Sequence, residues 1–163
     1  MRGSPIFCAS VFGLALAIIA AADLHAPDQV IYNHSPSLPR GFYVRTSEAV
    51  TMGSIVTVRA VDVTPAYASL RHFTGARDRF LKRVAAAQGD RVCAIADSIE
   101  INGNKVGRRV PRDRQRRALP HWSGCFTLTT HQVFLMGDTS DSFDGRYWGV
   151  TDLRVIEGVW RPL

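Results

Sequence analysis

The sequence predicts a mainly β fold behind one apolar segment. Three stretches point to it. Ser54 to Ala60, SIVTVRA, is β-branched and alternating, the signature of a strand. Ser98 to Val106, SIEINGNKV, reads as a hairpin with Asn102-Gly103 at its turn, the pair suited to a two-residue connection. Ile156 to Leu163, IEGVWRPL, reads as a further strand.

The other elements come in order along the chain. Gly41 to Arg45 alternates apolar and polar residues and is a strand. Ala60 to Arg79, with Pro65, Gly75 and several alanines, predicts one short helix and a mobile loop. Phe80 to Ala86, FLKRVAA, fits a strand or a short helix, and the turn signal Gln88-Gly89-Asp90 comes after it. Arg91 to Ala96, RVCAIA, is another strand, and FTLTTHQVFLMGD holds two more strand-like runs. The 163 residues show no internal repeat and suit one domain with a real core.

Ile6 to Ala22, IFCASVFGLALAIIAAA, carries no charge. Its length is about the minimum for a spanning helix of roughly 17–25 residues. Arg2 precedes it, Asp23 and Asp28 come after it, and the next basic residue is Arg40. By the positive-inside rule the short N-terminus stays cytoplasmic and the remainder of the chain is exported. AIIAAADLHA also resembles the end of a cleavable signal peptide. Either way residues 1–26 form a membrane anchor or signal segment, and 27–163 form a domain outside the cytoplasm. Cys8 lies inside the apolar segment. Cys93 and Cys125 lie in the exported part, where an oxidising compartment permits a disulfide. A Cys93–Cys125 bridge is expected, with two unpaired buried thiols as the alternative.

Apolar residues make up 46% and charged residues 21%, which excludes a disordered chain; the formal charge of +6 points to acidic partners. Much of that charge lies in Lys105 to Arg117, KVGRRVPRDRQRR. No aromatics in the run would stack bases, so nucleic acid is not expected. A solvated, flexible loop is the favoured reading, and contact with anionic headgroups of inner-membrane lipid is a further one.

SPSLPRGFY, Ser35 to Tyr43, places two serines beside prolines in a stretch that cannot be a helix. A serine nucleophile needs a base. None of the five histidines sits in a recognisable triad motif, and GxSxG is absent. A lysine kept neutral by burial is the other solution. Lys82 in RFLKRVAAAQGD is the candidate: in a strand it shares a face with Phe80 and Val84, while Arg79 and Arg83 lie on the other. Asp138, Asp141 and Asp144 do not have calcium-loop spacing, so no metal and no cofactor is expected.

SPSLPRGFY, FLKRVAAAQGD and GDTSDSFDGRYWG occur in that order after an apolar segment. Together they resemble the three motif blocks of the signal peptidase I superfamily, Ser–Lys proteases of the bacterial membrane, and most of all its TraF branch of conjugative-transfer peptidases. The short chain, the pattern after Ser37 and SFDGRYWG in place of SxDSRYWG favour that branch. The resemblance implies a signal peptidase I-like β fold preceded by one transmembrane helix. It implies Ser37 as nucleophile and Lys82 as general base. Ser35 and the Ser37 backbone N–H would form the oxyanion hole, Ser142 would orient the lysine, and Asp144 with Arg146 would brace the site. Two departures stand out: the last block is one residue shorter than in housekeeping enzymes, and Gly145 replaces the usual serine.

The expected function is a membrane-associated serine endopeptidase, in the bacterial inner membrane with its catalytic domain in the periplasm. It would process an exported pilin precursor for the conjugative transfer apparatus, with pilin cyclisation as an added outcome. Rivals are a general type I signal peptidase acting on preproteins, and a non-catalytic component of a conjugation or secretion apparatus.

Overall fold

The structure, a computed structural model, describes residues 27–163. The expected anchor or signal segment lies outside the described residues, and no described helix is long and apolar enough to cross a membrane. Among the described residues, eleven strands form two antiparallel sheets. They are β1 (Val30–Asn33), β2 (Gly41–Thr46), β3 (Ile55–Arg59), β4 (Arg79–Ala86), β5 (Arg91–Ile95), β6 (Ser98–Ile101), β7 (Asn104–Arg108), β8 (Gly124–Thr127), β9 (Gln132–Met136), β10 (Thr151–Asp152) and β11 (Ile156–Pro162). The fold is mainly β, as the alternating runs predict.

The larger sheet has the order β1-β2-β11-β3-β4-β9-β10 and the smaller one β7-β6-β5-β8. β11 therefore lies between β2 and β3, pairing Trp160 with Arg45 on one side and with Ile55 on the other. The FLKRVAA run is a strand, although its alanines favour a helix. As β4 it pairs with β3 and β9, whose Val56, Val58, Val133 and Leu135 bury against Val84. Tertiary packing decides the ambiguous local preference. A second cluster joins the sheets through Ala86, Val92, Ala94, Ile99, Leu128 and Phe134. A third, built on Leu38, Tyr43, Ile55, Leu81 and Trp160, lies under the Ser-Pro turn.

The β6–β7 hairpin turns at Asn102 (φ 52°) and Gly103 (φ 79°), two positive values that suit this pair. Cys93 and Cys125 are register partners on β5 and β8 and form a disulfide in the structure, within the smaller sheet.

The structure departs from expectation in three places. The segment 60–79 holds two short helices, α1 (Ala60–Val63) and α2 (Pro65–Leu70), where one was expected. β1 and the short helix α3 (Gly145–Trp148) went unforeseen because each is only four residues long. The arginine run is solvated but ordered by defined contacts. Its start is strand β7, and the turn after it is closed by a bridge between Arg112 and Ala118. The side chain of Asp113 organises that turn by accepting from the backbone N–H of Gln115 and of Arg117.

Candidate active site

Ser35 to Arg40 of the SPSLPRGFY stretch form the turn between β1 and β2, and Gly41 to Tyr43 open β2. Asn33, the last residue of β1, shapes that turn. Its side-chain amide donates to the carbonyls of Ser35 (2.9 Å), Leu38 (3.0 Å) and Pro39 (3.0 Å), and its Oδ1 accepts from Ser35 N–H at 3.1 Å. Tyr43 adds a hydrogen bond from its hydroxyl to Pro39 O at 2.7 Å. Leu38, 1% exposed, anchors the turn in the third core cluster. With the backbone set from several directions, Ser37 has little freedom. Sequence reading missed Asn33; its signal was an asparagine two residues before a Ser-Pro turn, the spacing at which Asn side chains bond their own backbone.

Ser37 and Lys82 are both 4% exposed, and Ser37 Oγ and Lys82 Nζ lie 2.8 Å apart in a hydrogen bond. They come from a turn and from the middle of β4, 45 positions apart in the chain. Burial pushes the lysine from its ordinary 10.5 down to about 8. The Asp144 charge works against that shift, and the Arg146 charge adds to it. Nζ also lies 5.8 Å from the centre of the Phe80 ring, the apolar neighbour expected on its face.

Ser35 sits on the other side of Ser37. The two hydroxyl oxygens are 2.9 Å apart, and Ser37 N–H donates to Ser35 Oγ at 3.2 Å. The Ser37 N–H is thus spent on the Ser35 hydroxyl, and an acyl oxygen would have to take that N–H over to be held by both groups.

Asp144 and Arg146, 0% and 2% exposed, form a buried ion pair behind this pair of serines. Arg146 reaches Asp144 through Nε at 2.8 Å and a terminal nitrogen at 2.6 Å. Its remaining donors go to the carbonyls of Ser140 (2.8 Å) and Thr139 (2.7 Å). A buried ion pair tolerates its desolvation when its remaining donors and acceptors are also satisfied, as they are here. Asp144 also accepts Gly137 N–H at 2.7 Å. Ser142, 4% exposed, places its Oγ beside Gly137, where it has no hydrogen-bond partner among the described residues; it does not bond Lys82. All five expected side chains thus converge with Ser37, but Ser142 does so without the contact foreseen for it.

The absence of side chains at two glycines is part of the packing. A Cβ on Gly137 would fall 2.3 Å from Ser142 Oγ and 2.9 Å from Ser37 O. A Cβ on Gly145 would fall 2.6 Å from Leu135 O. A serine cannot occupy position 145 without moving β9, which accounts for that departure from the housekeeping pattern.

Ser35, Ser37 and Lys82 open on a cleft of about 740 Å³, walled by Ile31, Phe80 and Leu81 among others. No group of acidic, histidine or cysteine residues able to hold a metal occurs among the described residues. The family described as "Signal peptidase, peptidase S26" matches residues 5–162.

The chain belongs to the signal peptidase S26 family.

Two relatives from Escherichia coli, each a "Plasmid transfer protein TraF", are similar along nearly the whole chain. One is 31% identical over 164 residues, covering 94% of this chain and 91% of that protein. The other is 32% identical over 165 residues, covering 94% and 92%. A signal peptidase I crystal structure from Enterococcus faecalis matches with a TM-score of 0.40 at 20% identity, covering 70% of this chain and 98% of that one. Membership of the S26 family makes this protein a serine peptidase, and the family implies a preprotein substrate.

Proposed function

We propose that this S26 peptidase is a Ser–Lys endopeptidase that cuts an exported pilin precursor during conjugative transfer. Residues 1–26 would hold it to the inner membrane, with residues 27–163 as the periplasmic catalytic domain. The observation that carries the reading is the 2.8 Å contact between a buried serine hydroxyl and a buried lysine amine held at about 8. An ordinary lysine leaves roughly one amine in three thousand neutral at pH 7, and one at about 8 leaves roughly one in ten. Burial therefore supplies about 300 times more free base.

The contact between Ser37 and Lys82 supports the following chemistry. The neutral Lys82 amine takes the proton of Ser37 Oγ as Oγ attacks the scissile carbonyl carbon. The carbonyl oxygen becomes an oxyanion, which would take the Ser37 N–H from its contact with Ser35 Oγ and accept from the Ser35 hydroxyl as well. Such donors are worth about 2.7–4 kcal/mol where one has been removed in other enzymes. The tetrahedral species collapses, the peptide C–N bond breaks, and the Lys82 ammonium protonates the leaving amine. An acyl-enzyme ester remains on Ser37. Attack by water releases a linear product; attack by the substrate's own amine releases a ring, provided that amine is held close enough to outcompete water. The plasmid-transfer relatives support the conjugative setting.

The test is the mass of the candidate pilin from cells carrying wild type, Ser37→Ala or Lys82→Ala. A trimmed pilin in wild type and an intact precursor in both variants is the expected result, and a further loss of one water marks cyclisation. Identical masses in all three strains would reject the proposal and favour a general signal peptidase or a non-catalytic component.

A further inference from the structure

Beside the catalytic cleft lies a second concavity of about 840 Å³. Its lining includes Arg71, Arg108, Arg109, Arg112, Arg114 and Arg117, against two carboxylates, Asp113 and Asp141. Those carboxylates are already engaged. Asp141 pairs with Arg114 at 2.8 Å. Asp113 accepts from Arg117 Nε (2.6 Å), the Tyr67 hydroxyl (2.9 Å) and the backbone N–H of Gln115 and Arg117. Desolvation works to raise the Asp113 carboxyl, but these donors prevail and hold it at about 2. Arg108 pairs with Asp97. Arg71, Arg109 and Arg112 have no carboxylate partner among the described residues. Arg109 is half-buried and spends two donors on the carbonyls of Trp122 and Ala96, each at 2.7 Å. Arg71 and Arg112 are exposed. Three uncompensated guanidiniums around one hollow attract anions, and the guanidinium fork suits carboxylates.

The surroundings select the kind of anion. Tyr67, Phe143 and Tyr147 also line the hollow, but they stack on one another at 4.5 and 5.3 Å, and the two tyrosines are at most 5% exposed. No free ring face is offered to a nucleic-acid base. The site is a hollow with cations around its wall, which fits an extended chain better than a flat headgroup surface. It also adjoins the catalytic cleft: Arg71 lines both, and Phe143 packs at 5.6 Å on Phe80, a wall of the catalytic side.

We infer that the arginine-lined hollow is a second binding site for the polypeptide substrate, taking an acidic stretch of the same chain whose scissile bond lies at Ser37. The inference rests on the peptidase reading for the identity of the substrate, while its test reads binding alone. Full-length Ser37→Ala protein in detergent is titrated against dye-labelled hexaglutamate and hexaglutamine, read by fluorescence anisotropy. Hexaglutamate binds, hexaglutamine does not, and affinity falls as salt rises. Arg71→Ala with Arg112→Ala weakens hexaglutamate by at least about tenfold, as expected for two lost charge-assisted contacts. Arg112→Lys retains most of the binding, and Arg154→Ala, outside both clefts, changes nothing. Thermal unfolding of each variant is compared with the parent, and these exposed positions leave it unchanged. Equal binding of the two peptides, or undiminished binding by the double alanine variant, overturns the inference. So does binding to phosphatidylglycerol vesicles with none to hexaglutamate, which assigns the charge to the membrane. Loss of peptide binding leaves the peptidase reading standing. Continued pilin processing by Ser37→Ala protein rejects that reading without touching the binding result.

Discussion

Ser37 and Asp144 hold the same dipeptide from two sides. The Asp144 carboxylate accepts Gly137 N–H at 2.7 Å, and the Ser37 carbonyl accepts the next N–H, that of Asp138, at 2.6 Å. The buried ion pair is thereby joined to the Ser-Pro turn through two consecutive backbone amides. Asp144 thus bears on Ser37 through position and on Lys82 through charge.

Asp144→Asn separates those effects. The amide keeps an acceptor but leaves Arg146 buried without its counter-charge, and stability falls by about 3 kcal/mol. Asp144 also favours the ammonium of Lys82, and Arg146 disfavours it. Removing the carboxylate therefore lowers the lysine below about 8, and the acid limb of the activity profile moves to lower pH. A loss of stability with an unmoved limb would reduce Asp144 to a packing role.

The wild-type profile has a definite sign. On the proposed dyad the working base is the neutral amine, so activity is expected to rise as pH climbs through about 8 and to level off above it. The dependence of kcat/KM on pH with a peptide substrate measures this. A rate already flat from pH 6 upward would contradict a lysine base.

Lys82→Met should remove activity and leave stability equal or higher. A native lysine at about 8 against an ordinary 10.5 destabilises the fold by about 3 kcal/mol below pH 8, with the penalty fading as pH rises towards 10.5. Methionine removes the penalty but also the hydrogen bond to Ser37, so the net gain at pH 7 is about 1–3 kcal/mol. Thermal melts at pH 7 and pH 10.5 check this, with the advantage of methionine shrinking at the higher pH.

Asn33→Ala leaves three carbonyls of the Ser37 turn without their shared donor. The expected outcome is a cost of about 1–3 kcal/mol and a larger fall in kcat than in substrate binding. Asn33→Asp does not rescue it, because a carboxylate offers no donor. Rescue by aspartate, seen in single-turnover rates, would show that the turn does not depend on the amide.

Gly145→Ser restores the residue common in housekeeping enzymes and should be harmful here. Its Cβ meets the Leu135 carbonyl and the Phe134 ring at 2.6 and 2.9 Å, at a cost of about 1–3 kcal/mol. Denaturant unfolding of the purified protein reads the effect, and unchanged stability would mean β9 yields easily.

Much of this was legible in the chain. Alternation located β2 and β3, the runs RVCAIA and IEGVWRPL read as the strands that became β5 and β11, the Asn-Gly pair fixed a hairpin, and Lys82 between apolar neighbours marked a buried amine. The hidden part depended on partners far away in sequence. The Asp113 side chain orders the arginine turn partly through Tyr67, 46 positions away, and no local pattern reports that. The unbonded Ser142 hydroxyl lies against Gly137, a contact that spacing within one motif does not describe. Asn33 was legible in principle, but an asparagine near a turn is too common to single out.

The placing of β11 governs when the enzyme comes into being. Ser37 arrives with the β1–β2 ribbon and Lys82 with the β3–β4 ribbon, and within the sheet these ribbons pair only across β11. More than a hundred residues separate Ser37 from that strand. A nascent chain therefore carries its hydroxyl and its amine apart throughout translation of the intervening residues. On the proposed dyad, cutting power would appear only once this late strand has closed the sheet.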